Sequence, residues 1–154
     1  MLKSRLTSYE PVPLFSLVDR SGQAFDMADT RRRGNLVLFF LTQPDKAFLS
    51  GLDEVCGRLR QKNAIVVVVV ACPIKAIADV CQEHRLLFVL LADEDRRITS
   101  RYLEVAPHEE AAALFMADRA GTLFFQCVAA SAAELPPWDD VSASLDFIES
   151  QQLS

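Results

Sequence analysis

Two uninterrupted apolar runs, Leu36-Val37-Leu38-Phe39-Phe40-Leu41 and Ile65-Val66-Val67-Val68-Val69-Val70, constrain this chain more than any other feature. A strand with one face in water alternates apolar and polar residues. Runs this continuous need cover on both faces, as the inner strands of a helix-covered sheet have. The second run is β-branched throughout, which favours the extended backbone. Between the two, Phe48, Leu52, Val55 and Leu59 recur at helical spacing and predict an amphipathic helix over residues 44–61. Strand, helix and strand in that order make a crossover unit with two parallel strands.

The remaining signals fit around this unit. Phe15–Val18 and Ala24–Met27 read as short strands joined by the turn Asp19-Arg20-Ser21-Gly22. Pro73 opens a second helix with Ile74, Ile77, Ala78 and Cys81 on its apolar face. Leu87–Leu91 reads as a strand, and Asp93-Glu94-Asp95 as the acidic start of a helix carrying Ile98, Tyr102 and Val105. Ala113–Ala117 and Thr122–Val128 flank a hairpin turn at Asp118-Arg119-Ala120-Gly121. Trp138, Val141, Leu145 and Ile148 form the stripe of a closing helix. The expected class is α/β, a mixed central sheet with helices on both faces, formed by residues 1–154 as one domain.

Composition narrows the function. Of the 154 residues, 51% are hydrophobic and 24% charged, with a net charge of −5, which suits a globular chain without a broad basic surface. Arg31-Arg32-Arg33 is too short for a nucleic-acid patch and reads as a solvated turn. The first residues lack the apolar run of a signal peptide, and the longest apolar run, Ala64–Ala71, is too short to span a bilayer. A cytoplasmic protein contacting neither membrane nor nucleic acid is expected, with reduced thiols. The four cysteines, Cys56, Cys72, Cys81 and Cys127, have no C-x-x-C spacing, and only His84 and His108 accompany them. No metal and no cofactor is expected. No Ser-His-Asp arrangement, H-E-x-x-H or phosphate-binding glycine loop occurs either.

Four stretches, in order, carry a family likeness. They are Val12-Pro13-Leu14-Phe15-Ser16-Leu17 with the Asp19–Gly22 turn, Arg33–Phe40, Leu87–Asp93 with Tyr102 and Val105, and Phe115–Thr122. In this the chain resembles the alkyl hydroperoxide reductase/thiol-specific antioxidant (AhpC/TSA) branch of the thioredoxin superfamily, the peroxiredoxin-like branch. The resemblance implies a thioredoxin-like fold, thiol oxidoreductase chemistry and, by analogy, a homodimer.

That chemistry needs a thiolate at the start of the helix after Leu36–Leu41, where free N–H groups and the helix dipole lower the thiol pKa. The peroxiredoxin pattern, aligned without gaps, places Lys46 at the family's threonine and Leu49 at its cysteine. The C-x-x-C pattern falls on Pro44-Asp45-Lys46-Ala47. No cysteine lies between Leu41 and Val55, and the position for the family's arginine or cis-proline falls near Ala112 in Ala111-Ala112-Ala113. Instead, Thr42-Gln43-Pro44-Asp45 has the form of an ordinary helix start, with Thr42 able to cap, Pro44 in the first turn and Asp45 near free N–H groups.

Two readings follow. In one, redox chemistry is lost and the chain is a binding or assembly module for a protein partner that the sequence does not name. In the other, the nucleophile has moved to Cys72, at the carboxyl end of Ile65–Ala71 and before Pro73, where a helix dipole would lower its pKa. Cys56 and Cys81 fall on core faces, and Cys127 alternates with Phe125 and Leu123 along one strand face. A Cys72–Cys81 disulfide is excluded, because nine helical residues span ~13.5 Å and a disulfide tolerates less than ~7 Å. A Cys72–Cys56 pair stays open.

Overall fold

The computed structural model describes residues 2–19, 21–80 and 86–152. In chain order the elements are β1 (Lys3–Ser4), β2 (Ser16–Val18), β3 (Ala24–Asp26), β4 (Asn35–Leu41), α1 (Lys46–Gln61), β5 (Ala64–Val70) and α2 (Ile74–Val80). There follow β6 (Val89–Ala92), α3 (Thr99–Tyr102), β7 (Leu103–Glu104), β8 (Ala112–Ala117), β9 (Leu123–Ala129) and α4 (Trp138–Gln152). Five strands form the central sheet in the order β6-β5-β4-β8-β9. β4 runs parallel to β5 with Leu36 opposite Ile65 and Leu41 opposite Val70, and antiparallel to β8 with Leu41 opposite Ala112.

The two apolar runs are the inner strands that their composition requires, buried on both faces apart from a half-buried Ile65. Val37, Phe39 and Leu41 with Val66, Val68 and Val70 face α1 and α4, joined by Ile77 of α2. Leu36, Leu38 and Phe40 with Val67 and Val69 face Phe15, Met27, Ile98 and Tyr102. Tyr102 closes this second core, its ring 4.6 Å from Phe40 and 5.3 Å from Phe115, its hydroxyl donating to the Pro13 carbonyl. The chain thus has an α/β, thioredoxin-like fold with a mixed sheet covered on both faces.

Several expectations are corrected. α1 starts at Lys46, so Pro44 lies before the helix and not in its first turn. The helix expected through Val105 stops after one turn at Tyr102, because Leu103 and Glu104 pair with β1. Asp93, Glu94 and Asp95 precede that turn and none lies within it; the carboxylate of Asp93 reaches its first residue, accepting from Thr99 N (2.6 Å) and Thr99 Oγ1 (2.7 Å). Ile74 is exposed instead of lining the core. The β8–β9 register shifts beside Met116 and Ala117, so Phe125 opposes Met116 while Leu123 opposes Ala117. This bulge sends Leu123 into the second core and leaves Cys127, half-buried, against the first. Cys81 and His84 lie outside the described residues.

Arg31 is not part of a purely solvated turn. It is half-buried and donates to the Val12 carbonyl at 3.3 Å. Gly121, in the β8–β9 turn at φ +86°, makes room for it, since a Cβ there would meet the guanidinium carbon at 2.4 Å.

The amino end of β4 is tied to α4 through one carboxylate. Glu149 accepts from the fully buried Asn35 amide at 2.7 Å and from Arg119 at 2.7 Å, while Gln152 donates to Asn35 Oδ1 at 2.7 Å. Glu149→Ala is expected to strand the Asn35 donor and lower stability by about 1–3 kcal/mol, read from the urea midpoint. Lys62→Ala, which removes the exposed Lys62–Asp146 pair, should cost less than about 1 kcal/mol.

Candidate functional site

Four residues, Thr42 to Asp45, join the carboxyl end of β4 to the start of α1, and this junction is where the family's chemistry would sit. Asp45 is the N-cap: its backbone is extended (φ −131°, ψ 99°) and its Oδ1 accepts from Phe48 N at 2.9 Å. A free N–H at the positive end of the helix is thereby satisfied by a carboxylate, as the dipole favours. The role read for Thr42 is corrected. Instead of capping α1, it reaches across to β8: its Oγ1 accepts from Ala111 N at 2.8 Å and donates to Ala111 O at 3.1 Å, and its own N–H donates to the same carbonyl at 3.1 Å. Thr42 is buried, so these bonds are shielded from water. Beside them Gln43 Nε2 donates to Glu110 Oε1 at 2.6 Å.

The two parts of the site that were separate in sequence do meet here. Ala112, nearest the family's arginine or cis-proline position, pairs with Leu41 immediately before the helix start. Lys46 is exposed on the first turn of α1 and Pro44 is half-buried. Leu49 lies one turn into α1, its N–H donating to Asp45 O at 3.0 Å and its side chain fully buried in the first core. His108 is exposed. Glu110 and the Ala111 backbone are site residues that sequence reasoning missed; each is nearly seventy residues from its partner, and nothing local marks either.

The three described thiols are buried or half-buried, an environment that disfavours the thiolate. Cys72 sits beyond the carboxyl end of β5, beside β4, whose Leu41 carbonyl accepts from Ala71 N at 2.9 Å. It is buried, and burial, reinforced by the charge of Glu94, pushes its pKa up to about 11. This corrects the expectation of a lowered pKa. α2 is only seven residues long, and desolvation of the thiolate outweighs any dipole at its start. Burial likewise raises Cys56 to about 11, with Arg60 opposing and Asp53 adding, and raises Cys127. Among the described residues no group of three or more His, Cys, Asp or Glu is placed to hold a metal ion. No helix among them is long and apolar enough to cross a membrane.

Comparison with known proteins agrees with this architecture. The model of the AhpC/TSA family matches residues 9–125. Among solved structures the chain is similar to the peroxidoxin BcpB of Mycobacterium tuberculosis, at 14% identity and a TM-score of 0.76 over 95% of this chain and 98% of that one. It is similar to the reduced 2-Cys peroxiredoxin of Plasmodium vivax, at 14% identity and a TM-score of 0.79 over 94% and 83% of the two chains. A peroxiredoxin-like protein from Aquifex aeolicus superimposes with a TM-score of 0.77 at 16% identity, over 93% of this chain and 88% of that one. No curated protein matches the sequence. Identities this low carry the fold alone.

Cysteine-resolved alkylation of the folded protein is expected to find Cys56 and Cys72 nearly inert at neutral pH, their rates rising with pH towards 11. Cys127, half-buried, should react before either. The sign of the accompanying stability change follows from the raised pKa values. Below the ordinary value of 9.0 both states keep the proton; above it the unfolded thiol ionises first, so these groups lower stability as pH rises from 9.0 towards 11.

Proposed function

The chain belongs to the AhpC/TSA family, and we propose that it is a member that has lost thiol peroxidase catalysis and serves as a binding or assembly module. One observation carries this reading: no sulfur lies between Leu41 and Val55, and at the helix start where a thiolate would sit the Phe48 N–H donates to the carboxylate of Asp45. The Thr42–Ala111 and Gln43–Glu110 bonds support it, since they join the two halves of the site to each other. The burial of Cys72, which raises its pKa, weighs against a relocated nucleophile there. We read the vacated site as Thr42, Pro44, Asp45, Lys46, Leu49 and Ala112, and the whole chain as one domain. A cytoplasmic location and a homodimer belong to the same reading, the second by family analogy.

Peroxide consumption with excess dithiothreitol or thioredoxin tests it. Turnover no faster than reductant alone is expected; turnover near that of a working peroxiredoxin would sink the reading. A second measurement concerns repair. Leu49→Cys combined with Lys46→Thr should not create peroxidase activity, because the new thiol would replace a fully buried side chain and no arginine stands at Ala111-Ala112-Ala113. Rapid peroxide reduction by that double variant would show that the loss lies at Lys46 and Leu49 and not in the Ala111-Ala112-Ala113 half of the site.

A further inference from the structure

Beside the start of α1 lies an open groove of about 330 Å³, walled by Phe48, Leu135, Pro136 and Trp138, with Asp45 on its lining. Gly51 also lines it, in the interior of α1, where glycine is the poorest helix former after proline. A Cβ on Gly51 would stand 3.7 Å from Trp138 Nε1, so its absence keeps that edge of the indole accessible. The indole is held rigid by Phe39 (6.0 Å) and Phe48 (5.6 Å), and it is only half-buried. Its N–H donates to nothing among the described residues. A fixed aromatic wall with an unspent donor fits a backbone carbonyl. An α-helical ligand uses its carbonyls internally, whereas a polyproline-type segment leaves them free.

Charge narrows the ligand further. Asp45 is the one charged side chain on the groove's lining, and a neighbouring depression of about 190 Å³ that shares Pro136 has Asp140 as its one charged residue. Neither takes part in an ion pair among the described residues. Glu134, adjacent in sequence to the lining residues Ala133 and Leu135, is exposed. The complement of such a surface is positive.

From this we infer that the groove docks an extended, proline-containing segment of a partner protein that carries lysine or arginine. The inference rests on the binding-module reading and gives it a surface and a class of partner. The test uses the full chain and a fluorescein-labelled decapeptide of alternating proline and leucine with two arginines at one end. Saturable anisotropy is expected, with a matching change in the emission of Trp138, the single tryptophan of the chain. Trp138→Phe keeps an aromatic wall but loses the donor, and should weaken binding about tenfold. Gly51→Ala should raise the melting temperature, as a helix-interior glycine replacement does, yet also weaken binding about tenfold by crowding the indole edge. Because that variant is more stable than its parent, lost binding cannot be ascribed to unfolding.

Equal binding of a peptide with glutamates in place of the arginines would overturn the inference. So would tighter binding of a helical peptide bearing the same basic residues, or unchanged binding by Gly51→Ala. If sedimentation showed a dimer that Gly51→Ala dissociates and the peptide does not, a second copy would be the occupant and the inference would fall. Peroxide turnover with retained peptide binding would remove the lost-catalysis reading alone. Absence of both would remove the docking inference alone.

Discussion

Strand β4 is hydrogen-bonded on both sides, to β5 in parallel and to β8 in antiparallel, and each of its seven residues is buried. The two cores are built from its alternate side chains, Val37, Phe39 and Leu41 on one face and Leu36, Leu38 and Phe40 on the other. With partners on both flanks the strand has no freedom of register, since a slip of one residue would exchange the faces of all its side chains. Its carboxyl end is therefore a fixed point. The start of α1, Ala71 just after β5 and Ala111 just before β8 all converge there.

The same convergence would let this fold position a thiolate against a second group from the hairpin. Here the groups that meet are a capping carboxylate, a buried threonine and an alanine backbone. Thr42 spends its hydroxyl on Ala111 in both directions, lengthening the β4–β8 contact by one residue beyond the Leu41–Ala112 pair. Each such bond contributes on the order of 1 kcal/mol net, and more where water is excluded. What these groups supply at this place is cohesion between β4, α1 and β8. The described thiols elsewhere follow the rule for buried sulfur: desolvation of the anion dominates and raises their pKa.

α4 secures the other side of the junction. At its first residue Trp138 packs against Phe39 of β4 and Phe48 of α1, so the start of α1 is gripped between the sheet and α4. Near its last turn Glu149 and Gln152 hold Asn35 at the opposite end of the same strand. α4 thus spans β4 from end to end, and the groove beside Trp138 lies where the first of these attachments leaves an aromatic edge uncovered.

Periodicity and burial logic alone determined the architecture of this protein. The uninterrupted runs at Leu36–Leu41 and Ile65–Val70 required inner strands, the helical spacing from Phe48 to Leu59 required the crossover helix, and Asp118–Gly121 marked the hairpin turn. The absence of sulfur after Leu41 was equally plain from the sequence, and so was the suitability of Asp45 near the helix start. Tertiary structure decided which group capped the helix, because Thr42 had a partner in Ala111 that no local pattern could reveal. It decided the state of Cys72, since the desolvation that raises its pKa depends on what packs around it and not on the Pro73 that follows it. It also decided the faces of β9, where a bulge that appears only on pairing with β8 separates Leu123 from Phe125 and Cys127. Local signals specify elements because they act through neighbours in the chain; the site depends on contacts between residues far apart in sequence.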